Sequence, residues 1–410
     1  MSRVPKAAKT SRRSVLKAVG AGLISASVVP LDRAWSADEI PIGVLTPLTG
    51  AGGIEGPSML KAARAAADEV NAAGGPLGRK LRLISEDDQT DPEAAVRAAR
   101  KLVDVDKVSA VIGTWASGVT IAVAPVTQAA HVVEMSTSGA SRITEIQKKG
   151  FVYRTEPDDL LFGKAYAVLA LKRGWKTAGV LGLNVPFTTS TVAAFKKRFE
   201  EGGGKVLNFV TYNPDATSFK AETIQAFAGN PDFIHISGYE PDVTGVLRAA
   251  YEANLRKPFV IPAFAVSADT IANLGPAAEG LILVAEGVDE KAKGFETIKK
   301  LFPDDSYQPH PAQAYDMVNL VALAIEAAKD ASGPGINSTM RSISGPPGTQ
   351  VGTFAEGAKL IREGKKIDYQ GASGPIDFDE NGNIVKANFR IAEVKNGKVV
   401  PVEMLENVVF

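Results

Sequence analysis

The chain has 410 residues, and its 46 lysine and arginine side chains equal its 46 aspartate and glutamate side chains, so the formal net charge at pH 7 is zero. We find no basic block beyond the amino-terminal segment, which argues against nucleic acid and anionic membrane surfaces as partners. Cysteine is absent, and this excludes a disulfide framework, a thiolate metal site and a lipidated amino-terminal cysteine.

The amino terminus has the layout of a cleaved export signal. A basic stretch with Arg12-Arg13 precedes a weakly apolar run from Ala18 to Val29, which is short for a bilayer span, and small residues follow around Ser36. The paired arginines resemble a twin-arginine signal, with Val15 where that motif usually has Phe. The alternative is a disordered basic tail. We predict that residues 1–36 are removed and that the mature chain is soluble in the periplasm, without membrane insertion.

From Ile40 onward, apolar strands alternate with helices. The pattern predicts a strand from Ile40 to Leu45, a helix from Met59 to Ala72, a strand from Lys80 to Ser85, a helix from Pro92 to Val103 and a strand from Val108 to Ile112. Strands separated by helices of this length build right-handed βαβ units on a parallel sheet.

A second series of the same kind follows. It predicts strands Thr177 to Leu183, Val206 to Tyr212, Phe233 to Ile236 and Phe259 to Ile261, with helices Thr189 to Glu201, Ser218 to Ala228 and Val243 to Asn254 between them. Two series in about 370 residues exceed one ordinary domain. The predicted fold class is therefore α/β, with two doubly wound parallel-sheet lobes.

The chain is predicted to cross back after the second series, because a strand from Gly280 to Ala285 and a long helix from Pro311 to Asp330 follow it. Several parallel connections then form a multi-strand hinge. We assign residues 37–156 and 286–383 to the amino-terminal lobe and residues 157–285 and 384–410 to the carboxy-terminal lobe. Gly382 is expected to mark the turn of a carboxy-terminal hairpin.

Two predicted strand ends between Val111 and Ser141 are rich in Gly, Ser and Thr. Ligands of open α/β sheets bind beyond the carboxyl ends of the strands, so Ser117, Gly139 and Ser141 are expected to hold a small anion there. Side chains two apart on a strand end point the same way, so Trp115 and Ser117 are expected to share one face. The alternative role for Trp115 is packing between lobes.

Other motifs do not point to catalysis or to a cofactor. Gly50-Ala51-Gly52-Gly53 lacks the spacing of a dinucleotide site and indicates a turn. The three histidines have no ligand spacing, so no metal site is expected. Asp87-Asp88 could act as acid and base, but Asp91-Pro92-Glu93 indicates a helix N-cap and first turn. No Gly-x-Ser-x-Gly elbow occurs, and we predict a protein that is not an enzyme.

The chain from Ile40 to its end resembles the leucine/isoleucine/valine-binding proteins of bacterial ABC importers, which have the type I periplasmic binding protein fold. The resemblance rests on Pro47-Leu48-Thr49-Gly50, Val70-Asn71-Ala72-Ala73-Gly74-Gly75, Asp87-Asp88-Gln89-Thr90-Asp91-Pro92, Val111-Ile112-Gly113, Tyr153-Arg154-Thr155, Gly238-Tyr239, Gly371-Ala372-Ser373-Gly374 and Phe378-Asp379. It implies that the Ser117 hydroxyl, the Gly139 carbonyl and the amide and hydroxyl of Ser141, with Ala140 between them, bind the ligand. Tyr239 would close over the ligand from the second lobe.

The sequence departs from this family at two places. The family commonly pairs the ligand ammonium with an acid after the strand Phe259 to Ile261, where this chain has Phe264 and no carboxylate, and an aromatic residue expected near Gly52 is missing. A buried ammonium without an anionic partner is costly. We therefore expect a carboxylate without an amino group to bind at least as well as its amino acid, unless another acid serves; the candidates are Glu55, Asp159 and Glu286.

These observations predict the extracytoplasmic solute-binding component of an ABC importer, with permease subunits as partners. The default ligand is a branched-chain or other apolar amino acid. An aromatic or aliphatic carboxylate is the alternative, because Trp115, Phe187 and Phe264 could line an apolar subsite. A ligand sensor would use the same cleft, and an exported α/β enzyme is the remaining rival class.

Overall fold

The first of two large sheets is entirely parallel. The structure, a computed structural model, describes Met1 and residues 39–214, 216–288, 290–303 and 309–409, so the predicted export signal lies outside the described residues except for Met1. The first sheet and its helices comprise β1 (Glu39–Thr46), α1 (Gly56–Ala72), β2 (Lys80–Asp87), α2 (Pro92–Arg100), β3 (Ala110–Thr114), α3 (Ser117–Ala129), β4 (Val133–Ser136), α4 (Arg142–Gln147) and β5 (Val152–Arg154). Its strand order is β2-β1-β3-β4-β5.

The second sheet continues the alternation of strands and helices. It begins with α5 (Asp159–Lys172), β6 (Thr177–Leu183), α6 (Pro186–Glu201), β7 (Lys205–Tyr212), α7 (Lys220–Ala226), β8 (Phe233–Ser237), α8 (Glu240–Glu252), β9 (Phe259–Pro262), α9 (Ala268–Leu274) and β10 (Ile282–Glu286). These strands pair in parallel in the order β10-β9-β8-β6-β7.

The rest of the chain adds helices to the first sheet and two strands to the second. It comprises α10 (Lys293–Leu301), α11 (Pro309–Ala328), α12 (Gly333–Ile343), β11 (Thr349–Val351), α13 (Phe354–Arg362), β12 (Ile367–Gly371), β13 (Gly374–Pro375), β14 (Lys386–Lys395) and β15 (Lys398–Val409). Strands β11, β12 and β13 form a small separate sheet, whereas β14 and β15 extend the second large sheet with antiparallel pairing next to β10. The predicted α/β class with two doubly wound sheets is confirmed.

Burial explains why the long helix α11 returns to the first sheet. Its side chains from Pro309 to Glu326 are buried, and they share one hydrophobic core with Ile40, Val44 and Ala66 of β1 and α1. A helix that is apolar on nearly all sides must lie inside the molecule. The chain therefore passes between the two large sheets three times, after β5, after β10 and before β14.

Two local details differ from the sequence prediction. Strand β3 ends at Thr114, so Trp115 lies in the connection and Ser117 is the first residue of α3 rather than a strand residue. Gly382 lies in a turn that an antiparallel bridge between Phe378 and Ile384 closes, while the longer β14–β15 hairpin reverses at residues 396–397. Within the described ranges, no helix is long and apolar enough to cross a bilayer.

Candidate ligand-binding cleft

A cavity lies where the carboxyl ends of strands from both large sheets meet. This is the position that ligands occupy in open α/β sheets. Its walls come from the segments after β3, β4, β5, β8 and β9 and from α5, α6 and α11, and its lining residues are Trp115, Ala116, Ser117, Thr137, Gly139, Glu156, Asp159, Phe162, Tyr166, Phe187, Thr191, Ser237, Tyr239, Pro262, Phe264 and His310.

The cavity brings together six residues that the sequence predicted for the site. They are Trp115, Ser117, Gly139, Phe187, Tyr239 and Phe264. Ala140 and Ser141 are not among the residues that line it. The amide of Ala140 donates to Oγ of Ser117 at 3.2 Å, and the hydroxyl of Ser141 donates to Oδ1 of Asp158 at 2.7 Å.

Ser117 combines a free hydroxyl donor with the beginning of a helix. Its Oγ accepts the amide of Ala140, which leaves the O–H hydrogen available to an acceptor. Ala116, the N-cap residue of the 13-residue helix α3, provides no side-chain cap. Because the first amides of a helix lack intrahelical partners and lie at the positive end of its dipole, this wall of the cavity suits a carboxylate.

The loop after β4 is held by a fully buried arginine. The Arg154 guanidinium donates to the carbonyls of Gly139 at 3.0 Å and Ala140 at 3.2 Å, and it pairs with Asp158 at 2.6 Å. The Gly139 carbonyl also accepts the amide of Asp159 at 2.8 Å. The family resemblance implies that the Gly139 carbonyl binds the ligand. In this structure that carbonyl already accepts from two protein donors, Arg154 and the amide of Asp159.

Four aromatic rings connect the two sheets across the cavity. Trp115, after β3, lies 5.1 Å from the ring of Tyr239 and 5.6 Å from the ring of Phe264, centroid to centroid. Phe187 lies 5.3 Å from Tyr239 and 5.8 Å from Phe264. A Cβ added to Gly52 would lie 2.6 Å from the Trp115 ring. The Trp115 ring thus covers the place where the sequence lacks an expected aromatic residue.

His310 is a lining residue that the sequence did not reveal. Its Nε2 accepts the indole N–H of Trp115 at 3.3 Å, and its Nδ1 lies 2.8 Å from Oε2 of Glu55. Burial by itself lowers the pKa of His310, but the nearby Glu55 carboxylate outweighs burial and the net direction is upward. With Nε2 accepting from Trp115, the ring proton is placed on Nδ1, facing Glu55.

Two buried carboxyl groups line the cavity beside the aromatic rings. Burial raises the pKa of Glu156, and the neighbouring Glu286 carboxyl raises it further, while Gln313 donates to Glu156 at 2.8 Å. Burial also raises the pKa of Asp159, which accepts the hydroxyl of Ser190 at 2.8 Å. Asp159 was one of the three alternative acids named from the sequence. Glu156 was missed because it lies at the predicted lobe boundary.

The described residues contain no group of three or more histidine, aspartate or glutamate side chains that could hold a metal ion. The catalytic interpretation of Asp87 and Asp88 also lacks support from their contacts. Asp87 accepts the amides of Leu48 and Gln89, and Asp88 accepts the amide of Thr90 at 2.7 Å. These carboxylates organise loops next to the cavity without lining it.

Residues 39–398 match the family model of periplasmic binding proteins. The chain belongs to this family. It is 26% identical over 364 residues to the leucine-, isoleucine-, valine-, threonine- and alanine-binding protein of Pseudomonas aeruginosa, which covers 87% of this chain and 90% of that protein. The predicted family resemblance is therefore confirmed.

Solved structures of solute-binding proteins share the fold. A leucine-binding protein from Thermotoga maritima aligns with a TM-score of 0.76 and 25% identity, over 90% of this chain and 99% of that one. The solute-binding protein of an ABC transporter from Rhodopseudomonas palustris, in complex with benzoate, aligns with a TM-score of 0.72 and 23% identity, over 90% and 96% of the two chains. The chain is a solute-binding protein of the ABC-transporter family, and the proteins it resembles are not enzymes.

Proposed function

We propose that the protein captures a small carboxylate between two lobes and delivers it to an ABC permease. The main support for this proposal is the position of Ser117. Its hydroxyl lies at the amino end of α3 and lines a cavity at the carboxyl ends of strands from both sheets. A carboxylate there would accept a hydroxyl proton and helix amides, which are the partners that stabilise a buried anion.

The proposed ligand carries an apolar group. Trp115, Phe187, Tyr239 and Phe264 supply a wall of aromatic rings next to Ser117. Such a wall suits the side chain of a branched-chain or aromatic amino acid, and the relative from Pseudomonas aeruginosa is a leucine-, isoleucine-, valine-, threonine- and alanine-binding protein. The same wall also suits an aromatic carboxylate, and the benzoate complex from Rhodopseudomonas palustris favours this as the second candidate.

Capture would proceed by closure of the lobes. We assign residues 37–156 and 286–383 to one lobe and residues 157–285 and 384–410 to the other, so that the three passages of the chain between the sheets act as the hinge. Trp115 belongs to one lobe and Tyr239 and Phe264 to the other. A ligand inserted between these rings would stabilise the closed form through contacts that the open form cannot make. Residues 1–36 would direct the chain to the periplasm.

A thermal-shift screen tests this function. The protein is unfolded and refolded to remove bound solute, and its melting temperature is measured with the twenty amino acids, benzoate, 4-hydroxybenzoate and aliphatic carboxylates. A ligand that binds only the folded state stabilises it by about 2.7 kcal/mol at 100 times its Kd. We expect a saturable rise in melting temperature with at least one apolar amino acid or aromatic carboxylate. No rise with any compound of the panel at millimolar concentration would contradict the proposal.

A further inference from the structure

The cavity is lined by two buried carboxyl groups and one histidine, His310, whose Nε2 accepts from Trp115. Glu156 and Asp159 both line it and are 5% and 3% exposed. None of the lining residues, all of which the structure describes, is a lysine or an arginine. The buried Arg154, two residues before Glu156, pairs with Asp158 and donates to the carbonyls of Gly139 and Ala140. A ligand that enters this cavity therefore meets two carboxyl groups and the His310 imidazole, and no lysine or arginine among the lining residues.

The Asp159 carboxyl group can line the cavity because residue 139 is a glycine. A Cβ at Gly139 would lie 2.2 Å from Oδ1 of Asp159, so glycine at 139 makes room for this carboxyl group. The Ser190 hydroxyl holds its other oxygen at 2.8 Å. Glu156 is fixed in a similar way by the Gln313 amide at 2.8 Å. Both carboxyl groups are thus held in place by protein donors while they line the cavity.

An unpartnered hydroxyl lies in the same cavity. Thr137, after β4, is 3% exposed and lines the cavity, and its Oγ1 is buried without a hydrogen-bond partner in the described part of the chain. Buried polar atoms are nearly always hydrogen-bonded, because a buried polar atom without a partner destabilises the fold. A hydroxyl can accept as well as donate, so a ligand N–H group placed beside Thr137 would satisfy this atom.

We propose that the ligand carries a protonated amine, which the carboxyl groups of Glu156 and Asp159 and the hydroxyl of Thr137 hold, while its carboxylate lies at Ser117. This inference rests on the proposed function and names its substrate class: apolar α-amino acids in preference to the same acids without the amino group. The acidic partners of the ammonium group are then Glu156 and Asp159, which follow β5. The inference also reverses the expectation that followed from Phe264 in place of an acid after β9.

Electrostatics decides between the two ligand classes. A carboxylate without an amine would add a third acidic group to a buried site, and like charges brought together away from water raise the pKa values of all three. An ammonium group offsets one of these negative charges and offers three N–H donors to the carboxyl groups. The competing arrangement keeps Glu156 and Asp159 protonated, so that they donate hydrogen bonds to a ligand carboxylate. Burial raises the pKa of both groups, and the two arrangements therefore predict opposite proton exchange.

The test uses matched pairs of ligands that differ only in the amino group. Leucine is compared with 4-methylpentanoate, and phenylalanine with 3-phenylpropanoate, by calorimetric titration into ligand-free protein. The titration is repeated with Glu156→Gln and Asp159→Asn, which keep the side-chain shape, and with Thr137→Val. The matched control is Glu134→Gln, since Glu134 is a buried carboxyl group that does not line the cavity.

We expect the amino acid of at least one pair to bind more than tenfold tighter than its partner, a difference of ~1.4 kcal/mol. Glu156→Gln or Asp159→Asn should reduce this ratio at least fivefold, Thr137→Val should reduce it by a smaller factor, and the control should leave it unchanged. Titrations in buffers of different ionisation enthalpy should show proton release, because the ammonium favours the ionised carboxylates.

Three results would overturn the inference while leaving the proposed function intact. They are equal or tighter binding of the compound without the amine, a ratio that neither Glu156→Gln nor Asp159→Asn changes, and net proton uptake on binding. Thermal melts identify a variant that fails to fold. In that case the binding ratios of the folded variants and the number of protons exchanged on binding still test the inference. If neither member of either pair binds and the wider panel gives no ligand, the proposed function itself fails.

Discussion

Gly139 and Asp159 are in such close contact that a Cβ on Gly139 would lie 2.2 Å from Oδ1 of the aspartate. Gly139 follows β4 of the first sheet, whereas Asp159 begins α5, the first helix of the second series. The contact therefore joins the two halves of the cleft at the point where the chain first passes between the sheets.

Gly139→Ala should displace the Asp159 carboxyl group from the cavity. Side chains forced into a packed site cost typically 1–3 kcal/mol in folding free energy, and we also expect amino acid binding to weaken at least tenfold. Calorimetric titration and thermal melts measure the two effects. The control is Gly345→Ala, where the nearest atom to the added Cβ is 4.0 Å away. Unchanged affinity in Gly139→Ala would separate the Asp159 carboxyl group from ligand binding.

Ser117→Ala and Ser141→Ala should have different effects, although the sequence predicted both residues for the site. The Ser117 hydroxyl lines the cavity, and hydrogen bonds to charged groups contribute about 1.5–3 kcal/mol, so its loss should raise Kd by roughly tenfold or more. The Ser141 hydroxyl donates to Asp158, and its loss should lower the melting temperature with little change in Kd. The reverse pattern in calorimetry would place the carboxylate at Ser141.

Glu134→Gln should change how stability depends on pH. Burial raises the pKa of Glu134 from its ordinary 4.5 to about 8. Between these values the folded state keeps a proton that the unfolded state has lost, so this contribution to stability is present below pH 4.5 and is lost as the pH rises towards 8. The fall is at most about 1.4 kcal/mol per pH unit for one proton.

Glutamine cannot ionise, so the variant should gain stability relative to the parent chain as the pH rises from 5 to 8. Comparison with the parent cancels the contributions of other buried groups, such as Asp88, whose pKa burial raises to about 7. Urea unfolding at several pH values gives the free energies. Parallel pH profiles for the two proteins would show that Glu134 does not titrate in this range.

Replacement of the arginine pair tests the export route that the sequence alone predicts. With Arg12→Lys and Arg13→Lys together, we expect uncleaved precursor to accumulate in the cytoplasm, because the paired guanidinium groups are the proposed address. Cell fractionation with immunoblotting measures the distribution. The control is the same double variant with a general secretory signal added to it. Normal periplasmic accumulation of the variant without that signal would contradict a twin-arginine signal.

The sequence predicted most of the fold because local hydrophobic patterns determine parallel strands. Strand β6 runs from Thr177 to Leu183, as the pattern indicated, since its side chains after Thr177 are buried on both faces. The passage of the chain back to the first sheet followed from the apolar helix α11. The end of β3 was harder to predict, because Trp115 and Ser117 carry no signal that separates a strand from the turn before α3.

The charged part of the site was less accessible to sequence reasoning. Glu156 lies in Arg154-Thr155-Glu156-Pro157, which resembles a lobe boundary, and nothing local indicates that its side chain lines the cavity. His310 lines it only because α11 returns to the first sheet. Ser141 was also predicted for the site, and its hydroxyl donates to Asp158 within the protein. Such partners depend on tertiary contacts, which spacing along the chain does not encode.

The crystal structure of a complex would show where the ligand carboxylate and amine lie in the cavity. The refolded, ligand-free protein is crystallised with the compound that raises the melting temperature most in the screen. We predict ligand density between Trp115 and Tyr239, with the carboxylate within about 3.2 Å of the Ser117 hydroxyl and the amine beside Glu156 and Asp159. Density outside this cavity, or a carboxylate bound away from Ser117 and the amino end of α3, would contradict this prediction.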